Sequence, residues 1–181
     1  MIRLFAAVAI PEDIREALVR RQNGLPGARW RPPESFHITL RFVGEVAETV
    51  ADDLDAELAA ISGAPFDVVL AGVGFFGDGD ELHAVWAGVE ASESLQRLAA
   101  RCESAARRAG LKPDKRAWRP HVTLAYLRHA EPARVAAWIQ GHNLLKSPPF
   151  RIASFGLYSS WLSGEGSSYR LEREYPLGLT G

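Results

Sequence analysis

Cysteine, histidine and threonine are scarce in this chain, and neither sign of charge is in excess. Cys102 is the only cysteine among 181 residues. That excludes a disulfide framework and any multi-cysteine metal site. It falls within the apolar helical pattern of residues 98–106 and reads as a small core residue. A net charge of −1 provides no whole-chain field to attract a polyanion, so any such attraction must be local. No apolar run is long enough to span a bilayer. The opening run, residues 2–10, is interrupted by Arg3 and stops at Pro11-Glu12-Asp13. It lacks the charged region and cleavage pattern of a secretory signal and is expected to be a buried strand of a reduced, cytoplasmic protein. Low-complexity tracts and linkers are missing too, which leaves residues 1–181 as one expected domain, two small lobes sharing a core. A hydrophobic fraction of 47% with 24% charged residues suits a soluble globular chain.

Scarcity makes one repetition informative. The chain holds five histidines and four threonines, and His37-Ile38-Thr39-Leu40 returns as His121-Val122-Thr123-Leu124. Random placement would give only about a tenth of one His-x-Thr pair. Each motif follows a Trp-Arg-Pro triplet, Trp30-Arg31-Pro32 and Trp118-Arg119-Pro120, and each is followed by a helical pattern. The chain therefore reads as two similar halves, too widely spaced for a short-repeat solenoid.

The remaining pattern supports mixed α and β structure. Strands are expected over residues 3–10, 36–43, 66–76, 82–89, 121–127, 150–162 and 169–175. Helices are expected after Pro11, over 45–61, over 92–109 with Ser92 as cap and Gly110 as stop, and over 132–139. Gly77-Asp78-Gly79-Asp80 and Gly164-Glu165-Gly166 mark hairpin turns. In the first motif strand Phe36, Ile38, Leu40 and Phe42 share one face by alternation, and His37, Thr39 and Arg41 share the other.

Residues two apart on a strand project together, about 6 to 7 Å apart. His37 with Thr39, and His121 with Thr123, should thus present an imidazole beside a hydroxyl twice over. If the halves pack about a pseudo-twofold axis, the four side chains meet in one cleft. One neutral imidazole can take a proton from water while a protonated one supplies a leaving oxygen. Threonine hydroxyls can donate to phosphate oxygens between them. Such chemistry uses no metal, no cofactor and no protein nucleophile. Zinc would need a third ligand, and neither motif has a neighbouring carboxylate or further histidine. A lone His-x-Thr strand would be read as a surface or core feature; the duplication is what turns the reading toward chemistry. His83, His129 and His142 lack that context and are read as structural. One local basic stretch, Arg101, Arg107, Arg108, Lys112, Lys115, Arg116 and Arg119, faces only Glu103 and Asp114 in sequence; a solvated helix face and loop is the competing reading.

These residues resemble the two-histidine phosphoesterase superfamily, with its paired His-x-Thr-x motifs. More narrowly they resemble the bacterial and archaeal RNA 2′,3′-cyclic phosphodiesterases, also called 2′-5′ RNA ligases. The likeness runs from the opening Arg-Leu-Phe-Ala-Ala-Val-Ala-Ile through His37-Ile38-Thr39-Leu40-Arg41-Phe42-Val43-Gly44 and Arg119-Pro120-His121-Val122-Thr123-Leu124 to Leu157-Tyr158-Ser159-Ser160. It implies an α+β fold of two pseudo-symmetric lobes, each an antiparallel sheet with outer helices, facing a shared central cleft. It implies hydrolysis of a terminal 2′,3′-cyclic phosphate to a 2′-phosphate, with possible reverse 2′-5′ ligation. His37 would be the proton donor, His121 the proton acceptor, and Thr39 and Thr123 the phosphate-binding positions; the two histidine roles are exchangeable on sequence alone. The partner would be an RNA or oligonucleotide ending in a cyclic phosphate, met by a monomer without a membrane. Alternatives are a phosphodiesterase of small nucleotides (an ADP-ribose cyclic phosphate or a 2′-5′ oligoadenylate) and a non-catalytic RNA-binding module. Relatives often carry arginine where this chain has Tyr126, and Arg128 is a candidate substitute. Arg41 and Arg119 are candidate substrate contacts, and Trp30, Trp118 and Trp161 candidate stacking platforms for a base; Trp86 and Trp138 are assigned to the core.

Overall fold

The computed structural model describes residues 1–164 and 166–178; the expected turn at Glu165 lies outside them. The fold is α+β, with ten strands and four helices among the described residues. In chain order these are β1 (Ile2–Ala9), α1 (Glu12–Val19), β2 (Ala28–Trp30), β3 (His37–Val46), α2 (Glu48–Ala59), β4 (Phe66–Val68), β5 (Leu70–Asp78), β6 (Glu81–Val89), α3 (Glu93–Arg108), β7 (His121–Leu127), α4 (Pro132–His142), β8 (Phe150–Ile152), β9 (Ser154–Ser163) and β10 (Gly166–Pro176). They build two four-stranded antiparallel sheets, β10-β9-β1-β3 and β2-β7-β6-β5, and a two-stranded β4-β8 pair.

β1 explains its own position. Leu4, Phe5, Ala6, Ala7 and Val8 are buried in succession, as expected of a strand covered on both faces, and β1 is flanked by β3 and β9. The third helix obeys its end signals. Ser92 Oγ accepts the Leu95 N–H (3.1 Å) at the start of α3, and Gly110, at φ +90°, follows its end. Arg107 and Arg108 occupy the last turn, where the helix dipole favours cations. α3 packs on α2 and β3, α2 also on β10, and α4 on β5. The buried side chains of both sheets and the helices form one contiguous apolar cluster.

Several expected boundaries shift for tertiary reasons. β3 runs on to Val46, so α2 begins at Glu48 rather than near residue 45. The run 66–76 is two strands, because β4 pairs with β8 while β5 pairs with β6; the run 150–162 divides at Ala153 for the matching reason.

The two motif strands share an irregularity that the sequence pattern hides. Across β1 and β3, Ala7 is paired with Thr39 and Ala6 with Arg41, leaving Leu40 without an opposite number. Across β6 and β7, Trp86 is paired with Thr123 and Val85 with Ala125, leaving Leu124 likewise unopposed. A bulge after each motif threonine reverses the faces of the next residues along the strand. Arg41 is therefore buried (8% exposed) and Phe42 exposed (37%), the opposite of simple alternation. In the same way Ala125 is buried and Tyr126 exposed (46%).

Candidate active site

A cleft of about 1020 Å³ lies between the motif strands, and His37, Thr39, His121 and Thr123 all line it. The first motif strand is tied at its threonine to the loop before β7: Trp118 Nε1 donates to the Thr39 carbonyl at 3.0 Å. The two imidazoles have matching surroundings. Nδ1 of His37 lies 2.7 Å from the Ser35 carbonyl, and Nδ1 of His121 lies 2.7 Å from the Arg119 carbonyl, each two residues upstream. A carbonyl only accepts, so Nδ1 carries the hydrogen in both rings. Nε2 is left for proton transfer. Each ring is also walled by aromatics. Phe5 (4.8 Å between centroids) and the edge-on Tyr169 (5.2 Å) flank His37; Phe76 (4.8 Å) and Trp86 (6.1 Å) flank His121. Gly74 makes space for the Trp86 ring, since a Cβ there would stand 2.4 Å from it.

Surroundings of this kind favour neutral rings. Burial, together with the positive charges of His121 and Arg31, outweighs the Ser35 carbonyl and lowers the His37 pKa to about 4. Burial lowers that of His121 as well, against the Arg119 carbonyl. The sites differ in one bond: Thr39 Oγ1 sits 3.0 Å from Nε2 of His37, donating to it while that nitrogen is unprotonated.

The structure reassigns other residues. Arg41 lines the cleft, but it is held by Glu103 and donates to the carbonyls of Phe42 (2.5 Å) and Lys112 (2.7 Å), so its guanidinium is committed to the fold. The basic stretch is partly compensated: Arg107 is paired with Glu103, Arg108 with Glu57 and Arg116 with Asp114. Arg101 donates to the Ser62 carbonyl, and of the seven only Arg116 and Arg119 line the cleft. Arg128 is not on the cleft wall, whereas Tyr126 is. Trp30 packs on Trp138 (6.0 Å), Trp161 lies off the wall, and Trp118 lines it with its N–H already committed. Trp138 is buried, as the sequence suggests; Trp86, expected in the core, is half-buried beside His121. His83, read as structural, lies exposed on the cleft wall. His142 packs on Trp138 and meets Arg21. Cys102 is buried, and burial pushes its thiol up to about 12, leaving it inert.

The Trp-Arg-Pro repeat is not a structural repeat. Trp30 lies on β2, which joins the sheet of the second motif, while Trp118 belongs to the loop before β7. By the carbonyls that hold the imidazoles, Arg119 corresponds to Ser35, not to Arg31. Phe5, Phe76, Tyr169 and Arg31 are site residues that sequence reasoning does not single out as such. Only Arg31 has a signal, as the centre of that misaligned triplet.

Two sheets carrying duplicated His-x-Thr strands into one cleft define a two-lobed phosphoesterase type of site, and comparison with known proteins agrees. Residues 7–160 match the model of the 2′-5′ RNA ligase superfamily, and the chain belongs to that family. Among curated relatives, the RNA 2′,3′-cyclic phosphodiesterase of Thermus thermophilus is 34% identical over 97% of this chain and 90% of its own. That of Archaeoglobus fulgidus is 29% identical over 93% and 97%. Among solved structures, a protein of Thermus thermophilus superimposes with a TM-score of 0.81 at 27% identity, covering 98% of this chain and all of that one. E. coli LigT complexed with 3′-AMP gives 0.78 at 27% identity, covering 97% and 98%.

Proposed function

We propose that this cleft opens the terminal 2′,3′-cyclic phosphate of RNA with water, leaving a 2′-phosphate and a 3′-hydroxyl. As a member of its family the chain is an enzyme, an RNA 2′,3′-cyclic phosphodiesterase. The observation that carries the finer reading is the matched pair of imidazoles, each with Nδ1 tied to a carbonyl and Nε2 left as the working nitrogen.

His121, neutral, takes a proton from the attacking water as its oxygen bonds to phosphorus. On the opposite side the bond from phosphorus to O3′ breaks, and protonated His37 delivers its proton to that oxygen. Thr39 and Thr123 donate to the non-bridging oxygens, where charge builds in the transition state. After one turnover the protons sit on the other histidine, and exchange with solvent resets them. An anion beside Nε2 favours the imidazolium of His37, so substrate supplies the condition its own cleavage needs. Protonation also frees Thr39: its hydrogen no longer has a lone pair on Nε2 to meet and is released toward the phosphate. An RNA 5′-hydroxyl in place of water would leave a 2′-5′ linkage, but the abundance of water favours hydrolysis. Phe42 and Tyr126, exposed on the cleft wall by the two bulges, are already faced by guanidinium groups, Phe42 by Arg3 and Arg116 and Tyr126 by Arg31.

The test is turnover of an oligonucleotide ending in a 2′,3′-cyclic phosphate, in chelator, with the product's phosphate located by ³¹P NMR. The expected product is the 2′-phosphate, and kcat should fall by about 10² to 10⁴ in His37→Ala and in His121→Ala. Unchanged kcat in either variant, or a 3′-phosphate product, sinks the assignment. A second reading, action on small nucleotides, is favoured by the structures of E. coli LigT with 3′-AMP, ATP and NADP+ bound. A higher kcat/KM for a cyclic mononucleotide than for the oligonucleotide would select it.

A further inference from the structure

The four side chains assigned above carry no fixed charge, yet a phosphodiester is an anion. The cleft wall offers several arginines, and most are committed or solvated. Arg41 is buried against Glu103, and Arg116 is paired with Asp114 at 3.2 Å. Arg3 and Arg119 are exposed, where water and salt screen a charge.

Arg31 is different. It lines the cleft half-buried, and among the described residues no carboxylate pairs with it. Its guanidinium lies between the rings of Tyr126 (5.4 Å) and Tyr169 (5.6 Å), and Nη2 donates to the Ser167 carbonyl at 3.0 Å. The main chain is equally constrained. Its N–H donates to the Leu124 carbonyl (2.8 Å), and its carbonyl accepts from Gln22 Nε2 (2.8 Å). The same Gln22 nitrogen donates to the Leu124 carbonyl (3.0 Å). Tyr169, one wall of the guanidinium site, is also the ring edge-on to His37. An oriented, partly desolvated cation without a counter-ion among the described residues thus stands beside the proposed acid, with donors left over for a bidentate grip on two oxygens.

We propose that Arg31 is the anion-binding residue of the cleft, gripping the phosphoryl oxygens at the His37 end, with Tyr126 and Tyr169 as the struts that orient its plane. The proposal rests on reading the cleft as a phosphodiester site. It also explains how a chain with a tyrosine at position 126 keeps a cation there: the cation comes from the segment after β2, and the tyrosine supports it.

The experiment is calorimetric binding of inorganic phosphate and adenosine 2′-phosphate to the wild-type chain, Arg31→Gln, Arg31→Lys and Tyr126→Ala, with folding checked by circular dichroism. Arg31→Gln should raise Kd about 10- to 100-fold. Lysine should restore part of that loss. Tyr126→Ala, at an exposed position that leaves the fold intact, should weaken binding severalfold. The kcat/KM profile of Arg31→Gln should also move to higher pH, because a positive charge near His37 is gone. Arg31→Gln binding within about twofold of wild type, or a larger loss in Arg119→Gln, overturns the proposal. If the wild type turns over no cyclic phosphate yet binds both anions through Arg31, the reaction is wrong and the site stands. Normal turnover with Arg31-independent binding keeps the reaction and removes the site.

Discussion

His37 sits in a site that resists its protonation, and that sets how activity should respond to pH. In the free protein burial and nearby positive charge put it at about 4, and His121 also lies below its ordinary range. In the proposed mechanism the productive form has the proton on His37 and His121 neutral, so its population should fall tenfold per pH unit once pH exceeds both values. Hence log(kcat/KM) should decline with slope −1 above about pH 6.5, the ordinary histidine value. The optimum of kcat should lie higher, since the bound anion favours the imidazolium. A kcat/KM flat from pH 6 to 8 contradicts this. Stability follows the same sign: unfolded chains bind more protons than folded ones between about 4 and 6.5, so stability should drop as pH falls through that window. Arg41 is the residue-scale counterpart on the structural side. Arg41→Met would leave the Phe42 and Lys112 carbonyls without this donor, while Glu103 keeps Arg107 and the Asp114 N–H. A loss of about 1 to 3 kcal/mol in urea unfolding is expected from the two unsatisfied carbonyls; a variant as stable as wild type would show that the cation is dispensable.

At the scale of elements, the duplicated strands are legible in the sequence and their irregularity is not. Alternation places His37 beside Thr39, and His121 beside Thr123, because period two is a local property. It fails at Arg41 and Phe42, since a bulge costs ladder bonds that only the pairing partner decides, here Ala6 and Ala7 of β1. The Trp-Arg-Pro triplets mislead in a similar way: β2 crosses to the other sheet, a long-range choice with no local mark. Ser92 and Gly110, by contrast, act within one turn, and both end signals are plain in the sequence. The support of His121 by Trp86 is likewise invisible in sequence, because Gly74 matters only through the ring it faces. Gly74→Ala should push that ring toward His121 and lower kcat by about tenfold or more while KM changes little. Equal kcat would mean that the Arg119 carbonyl and Phe76 position the imidazole without Trp86.

For the whole molecule, we propose that the two sheets and their helices form a single bilobal unit, since their buried side chains make one cluster and Trp118 and Arg31 bridge the halves. Calorimetry should then show one unfolding transition whose van't Hoff and calorimetric enthalpies agree; two resolved transitions would separate the lobes. In the proposed mechanism such a unit would hold the two motif strands on opposite sides of one phosphorus. The most direct measurement uses an RNA end whose cyclic phosphate has sulfur in place of O3′, a leaving group that departs as thiolate without a proton. Single-turnover rates should then recover in His37→Ala to near the wild-type value and stay low in His121→Ala. Equal rescue of both variants, or rescue of His121→Ala alone, would contradict the assignment of acid and base on which the account stands.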